Sequence, residues 1–332
     1  MFNKLLIGAA AVSLAATMAL GAVGVTFNVA QGDKEEAFNE MVTEKIESIG
    51  FVLSDPHERI NDAYKSKYGT EKVDGKPNPA YDSKYVDYLD NLGFFSIAND
   101  EKLRPMLIKA PQLGGFSPFN LHIYKEKAED KTYVGHVNPE TMLDIVGVTD
   151  KEVRKEFVAM FPPLDALVDK EIGGKKMNVE YDKLTAEPMM TFEYKFERPE
   201  DLSDFIDEFQ EGFEEAFEEN KYIIAGYKNF KEAYTDMELD FDKYDAYFVY
   251  SLCHFQFSYG IFNKGRPDAG VFAPCSMYMY IEKGSDKMVI GMPKLENWIA
   301  VMGIKDQAKV EAIHTLDKEI VGIMEELGAK KI

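Results

Sequence analysis

Sliding the 332-residue sequence along itself by 156 positions lays Phe116–Asp150 on Phe272–Asp306 without a gap, and 11 of the 35 positions are identical. The shared residues include Phe116/Phe272, Pro118/Pro274, Tyr124/Tyr280, Gly135/Gly291, Glu140/Glu296 and Gly147/Gly303. Chance gives only a few identities over such a length, so the chain reads as a tandem duplication. This constrains the fold more than any other feature. Whatever one half builds, the other must build in outline.

Each copy reads in the same order. A short strand opens it, Thr26-Phe27-Asn28-Val29 in the first and Thr191-Phe192-Glu193-Tyr194 in the second. A helix follows. In the first copy Asp33 can cap it with Glu36 three residues on, Phe38, Met41, Val42, Ile46 and Ile49 make its apolar stripe, and Gly50 stops it. The second helix carries Phe205, Phe209, Phe213 and Phe217 on one side and a dense run of Asp and Glu on the other, which reads as a solvated face. Four strands come next: 51–53, 94–97, 121–124 and 133–137 in the first copy, and 222–224, 249–252, 277–281 and 288–292 in the second. A turn rich in Gly, Asp and Lys makes a hairpin of the last pair. A closing helix ends each copy. The expected fold class is α+β: a duplicated β-α-β-β-β-β-α module with antiparallel sheets and helices on one face. The expected boundaries are a signal segment at 1–22, a first module at 23–172, a linker at 173–188 and a second module at 189–332. Residues 64–83 of the first copy, rich in Gly, Pro and Lys, read as a surface insertion.

The strand inside "GVFAPCSMYMYIEK" (270–283) is apolar on both alternating sets of positions. Met277, Met279 and Ile281 point one way; Tyr278 and Tyr280 point the other. An antiparallel sheet with helices on one face normally wets the other. Something must therefore cover the tyrosine side. The other copy is the simplest cover, and a groove holding an apolar ligand is the alternative. Tyr278, Tyr280, Tyr250 and His254 are the residues expected to face the ligand or the other module.

The formal net charge is −20, from 38 basic and 58 acidic residues. Such a field repels phosphate backbones, so nucleic acid is not an expected partner. The chain starts with one lysine, then an uncharged run from Leu5 to Val25 with small residues at its end. That pattern is a secretory signal peptide, and an uncleaved membrane anchor is its alternative. No cysteine follows it to carry a lipid. The expected location is the periplasm or another exported compartment, with no membrane contact once the signal is removed.

An oxidising compartment allows Cys253 and Cys275 to be joined. They sit at the end of one strand and the entry to another, so a disulfide, two buried thiols, and a functional thiol or metal site all stay open. No metal or other cofactor is expected. His57, His122, His136, His254 and His314 show no ligand spacing, and no nucleotide-binding, nucleophile-elbow or zinc-protease motif occurs. Trp298, the only tryptophan, falls in an apolar stripe and reads as core.

The pattern Ala273-Pro274-Cys275-Ser276 after Cys253, and the run Asn138-Pro139-Glu140-Thr141-Met142-Leu143 ending in Val146-Gly147, resemble an uncharacterised family known as domain of unknown function 302. The chain departs from that pattern at His254, where the family usually has Asn. The first copy has Ala98 and Phe119 at the two cysteine positions. The resemblance implies a module similar to one half of the TATA-binding protein, and no reaction.

The function expected from these readings is an exported, non-enzymatic binding or interaction protein of two tandem modules. Its partner would be an apolar small molecule or an envelope protein. The alternative is a thiol-dependent redox or metal-handling protein acting through Cys253 and Cys275.

Overall fold

A computed structural model describes residues 21–84 and 88–332. The expected signal segment, 1–22, lies almost wholly outside the described residues. The first half comprises β1 (Ala22–Gln31), α1 (Glu35–Glu40), β2 (Val52–Arg59), α2 (Ile60–Tyr68), a small hairpin of β3 (Lys72–Val73) and β4 (Lys76–Pro77), β5 (Leu89–Ala98) and α3 (Asp100–Lys109). It continues with β6 (Phe119–Asn120), β7 (His122–Glu126), β8 (Lys131–Val137), α4 (Pro139–Ile145), α5 (Lys151–Val158), α6 (Phe161–Glu171) and β9 (Lys175–Tyr181). The second half has β10 (Met189–Lys195), α7 (Leu202–Glu219), β11 (Tyr222–Asn229), α8 (Phe230–Asp236), β12 (Tyr244–His254) and α9 (Phe255–Phe262). It ends with β13 (Cys275–Glu282), β14 (Lys287–Pro293), α10 (Glu296–Met302), α11 (Gln307–Glu326) and β15 (Lys330–Lys331). A 3-10 connector precedes β6 and β13, at Pro111–Phe116 and Pro267–Phe272.

The two main sheets are laid out alike. The first runs β2-β5-β7-β8-β1-β9, with β6 also on β5; the second runs β11-β12-β13-β14-β10-β15. Every pairing is antiparallel, and strands at the same place in the two orders hold the same place in their halves. Each half is richer than β-α-β-β-β-β-α. Short helices stand before and after the long central strand, and a further edge strand closes the sheet. That strand, β9, occupies much of 173–188, the stretch expected to be a linker. Met177, Val179 and Tyr181 alternate along it, and it pairs with β1 from Ala22 to Val29.

Local chemistry explains the main helices. α7 buries Phe209, Phe213 and Phe217, one turn apart, and Asp201 caps it by accepting from the Ser203 N–H at 2.9 Å. α11 buries Ile313, Leu316, Ile320 and Met324, capped by Asp306 on the Lys309 N–H. α1 is less regular. Asp33 accepts from the Glu35 N–H, and the helix loosens into a π turn and then a 3-10 turn before Gly50, whose φ of 83° needs the missing side chain.

Strand alternation sorts the faces. In the second sheet Phe248, Tyr250, Met277 and Met279 face the long helices, with the Phe213 and Tyr250 rings 4.8 Å apart. In the first, Phe95 meets Phe38 of α1 at 4.8 Å. The opposite faces carry Tyr247 and Tyr278 in one half, and Phe94 and His122 in the other. The cover over them is the other half's connector. A β-carbon at Gly114 would collide with the Tyr247 hydroxyl and with Cβ of Tyr278; one at Gly270 would collide with the His122 ring and crowd Phe94. Helices join in. The Tyr244 hydroxyl donates to the carbonyl of Leu107 in α3 at 2.9 Å, and Val301 of α10 sits against Gly24 of β1. Helices thus lie on both faces, because α3 and α10 have buried apolar residues of their own: Leu103, Met106 and Leu107 in one, Trp298, Val301 and Met302 in the other.

The insertion is more than surface. Tyr68 stacks on Tyr259 of α9 at 3.8 Å, and Asp82 accepts from the Tyr259 hydroxyl at 2.9 Å while pairing with Lys264. It clamps the second half from one side.

Candidate functional site

The two cysteines lie at the ends of neighbouring strands, as expected, but out of step. Leu252 is the register partner of Cys275, so Cys253 is one residue beyond it. One residue on a strand is a change of face. Cys275 leaves with Met277 toward the helices, and Cys253 leaves with Tyr247 toward the other half. Both are free thiols, so of the alternatives that the strand positions left open the bridge is not the one formed. The Cys253 sulfur is 3.7 Å from the Ser258 hydroxyl, which also accepts from the Tyr64 hydroxyl at 2.7 Å and donates to the Phe255 carbonyl at 3.0 Å. Tyr64 comes from the first half, so this thiol sits on the seam. Burial pushes Cys253 up to about 11 and Cys275 higher still, with no cation beside either to offset it.

Both thiols help to wall a small cavity, about 20 Å³, where the second sheet ends against α9, α10 and α11. Its other walls include Tyr222, Leu252, Phe257, Trp298 and Ile320. Tyr222 is 4% exposed, and Glu319 is the charged group acting on its buried hydroxyl most strongly. His254 lies on the rim, edge-on to Tyr222 at 5.0 Å. Its Nδ1 accepts from the Phe257 N–H at 3.2 Å and caps α9, which leaves its proton on Nε2, and burial lowers its pKa. It is committed to structure on one side and is not a free base.

The four residues expected to face a ligand or the other module do not converge. Tyr278 meets Gly114 of the first half, and Tyr280 stacks beside it and beside Tyr247, with ring centroids 6.3 Å and 6.0 Å away. Tyr250 turns to the opposite face, where it donates to Glu214 at 2.6 Å and accepts from Gln210 at 2.9 Å. Tyr247 and His122, which sequence reasoning passed over, do more at the seam. Tyr247 donates to the carbonyl of Pro111, and His122 places Nε2 2.8 Å from the carbonyl of Pro267 and Nδ1 2.9 Å from that of Gly93. Pro111 and Pro267 are 156 apart, as are Gly114 and Gly270. Following the repeat five residues upstream of Phe116 would have found them.

Charged groups complete the seam. Lys228 of β11 binds both carboxylate oxygens of Asp100 in α3 at 2.7 Å, each side chain only 13% exposed. Asp317 of α11 accepts from the N–H groups of Leu295 and Glu296 at 2.8 and 3.0 Å, fixing the start of α10, and burial pushes it up to about 6. Among the described residues no three His, Cys, Asp or Glu side chains gather as a metal site, and no helix is long and apolar enough to cross a membrane.

No family model matches the chain, and no curated protein matches it. Among solved structures, it is similar to the uncharacterised conserved protein DUF302 from Bacillus stearothermophilus. That likeness has 21% identity and a TM-score of 0.35, and covers 42% of this chain and 98% of the other.

Proposed function

We propose that this is an exported binding protein without catalytic activity, made of two tandem copies of one module that arose by duplication and lock face to face. The observation that carries this reading is the reciprocal docking of the two connectors. Gly114 closes on Tyr247 and Tyr278, and Gly270 closes on His122 and Phe94. The broad apolar faces are thereby spent on holding the modules together. What remains inside is small: the cavity beside Trp298 has room for about one water-sized molecule. Its wall is mostly apolar, which suits a small neutral ligand. The signal-like start, from Lys4 through the run ending at Val25, supports export.

The thiol-dependent reading has less support. Opposite faces and protonated sulfurs argue against a redox couple, and an apolar wall with few donors argues against a cation. Native mass spectrometry of protein purified from its own host tests the proposal. A small organic or gaseous adduct, retained in the native spectrum and lost on unfolding, supports it. A mass equal to the bare chain in every preparation counts against it, and a metal adduct would favour the thiol reading.

A further inference from the structure

Three voids follow one another along the seam. The first is an open groove of about 380 Å³ between the edge strands β2 and β11, with Asp55 and Glu58 on its rim and Cys253 in its wall. The second is the cavity beside Trp298, which Cys253 also walls. The third, again about 20 Å³, lies between the two connectors, among Phe116, Phe272 and Ser276. Cys275, Pro274 and Trp298 wall both the second and the third. Each cysteine thus borders two of the voids.

The shared walls are slight. A thiol is among the smallest side-chain groups, and the one polar contact that holds Cys253 is a weak 3.7 Å approach to Ser258. Cys253 is the residue that the walls of groove and cavity have in common. The chemistry of the walls sets what can pass. Leu252, Met292, Leu295, Leu316 and Ile320 make the second void apolar, and apolar cavities of this kind stay dry and take neutral apolar guests. The −20 net charge disfavours anions, and the groove wall holds Asp55 and Glu58 with His57 paired to Asp55 at 2.9 Å. Cations would lose their hydration inside without a partner.

We propose that these voids are a path for a small neutral molecule, diatomic or little larger, from the inter-module groove to the chamber beside Trp298, and that Cys253 is its gate. The inference rests on the binding-protein reading above and deepens it by naming the ligand class and the way in.

Trp298 reports on the path directly, since it is the only tryptophan, 4% exposed, and walls both inner voids. The experiment is quenching of its fluorescence in the full chain, with dissolved oxygen as the neutral diatomic probe and iodide as the excluded one. Oxygen should quench far more efficiently than iodide. Cys253→Ala should raise the oxygen quenching constant several-fold, and Cys253→Leu should lower it several-fold. Val73→Ala, on the exposed hairpin, should leave it unchanged. Oxygen quenching equal in wild type and Cys253→Ala, with urea midpoints also equal, overturns the path. If Cys253→Leu does not fold, Cys253→Ala and Cys253→Ser carry the comparison. A retained adduct in the native mass spectrum together with quenching insensitive to Cys253 removes the path and keeps the binding reading. Sensitive quenching with no adduct supports the path and counts against the binding reading.

Discussion

Gly114 and Gly270 stand 156 residues apart in the sequence and do the same thing from opposite sides. Each is the point where one half's connector presses its bare backbone onto the other half's sheet. The two halves are therefore joined by an exchange of like segments, as the two subunits of a symmetric dimer exchange surfaces.

Gly114→Ala and Gly270→Ala should each destabilise the chain by about 1–3 kcal/mol, because the new β-carbon meets packed rings that cannot yield without moving a strand. Urea unfolding measures this. The control Gly212→Ala, inside α7 with open space around it, should instead stabilise the chain by about 1 kcal/mol through helix propensity. Equal midpoints for the Gly114 variant and wild type would mean the connector does not bear on the sheet.

Lys228→Met should cost about 3 kcal/mol, since it strands the Asp100 carboxylate in a largely buried position. Adding Asp100→Asn should recover part of that loss. A double-mutant cycle in urea reads the coupling. A single variant within error of wild type would show the pair to be solvated.

Cys253 and Cys275 should both titrate as free thiols in the denatured chain without added reductant. In the native chain both should react with iodoacetamide more slowly at pH 8 than a free cysteine by at least the ratio of thiolate populations. For Cys253, pushed up to about 11, that is on the order of a hundredfold. Blocked thiols released only by reductant would restore the disulfide, one of the alternatives that the strand positions left open.

His122 should make the chain acid-sensitive. Its burial pulls the pKa down to about 4, against two carbonyls that push it up, with Asp268 opposite and Tyr124 stacked beside it. The ordinary value in an unfolded chain is about 6.5. The unfolded state therefore binds the proton first as pH falls. Stability is unaffected above about 6.5, declines between about 6.5 and 4, and levels off below, for a total of about 3 kcal/mol. His122→Gln should flatten that part of the profile. Urea midpoints of the two chains at pH 7 and pH 4.5 give the difference, and parallel profiles would place the sensitivity elsewhere.

Much of this fold could be read from the residues. The offset of 156, the phenylalanine stripe of α7 and the doubly apolar strand at Met277–Ile281 led to two like halves with covered sheets. The nature of the cover could not be read so easily. α3 is short and has Pro105 inside it, so its stripe of Leu103, Met106 and Leu107 gives little periodic signal. β9 hides behind Lys175, Lys176 and Glu180, because an edge strand can carry charges that a central strand cannot. The cysteine register was beyond reach for a different reason. β12 and β13 are joined through α9 and a connector, not by a tight turn, and only a tight turn fixes register from sequence. A shift of one residue separates a bridge from two thiols on opposite faces.

Hydrogen exchange of the intact chain, followed by mass spectrometry, tests the mutual shielding most directly. The amides of 111–116 and 267–272 should exchange as slowly as those of β12 and β13, and all should open together in one cooperative step. Connectors that exchange within seconds while the central strands stay protected would contradict it, for the two halves would then be neighbours whose inner faces lie open to water.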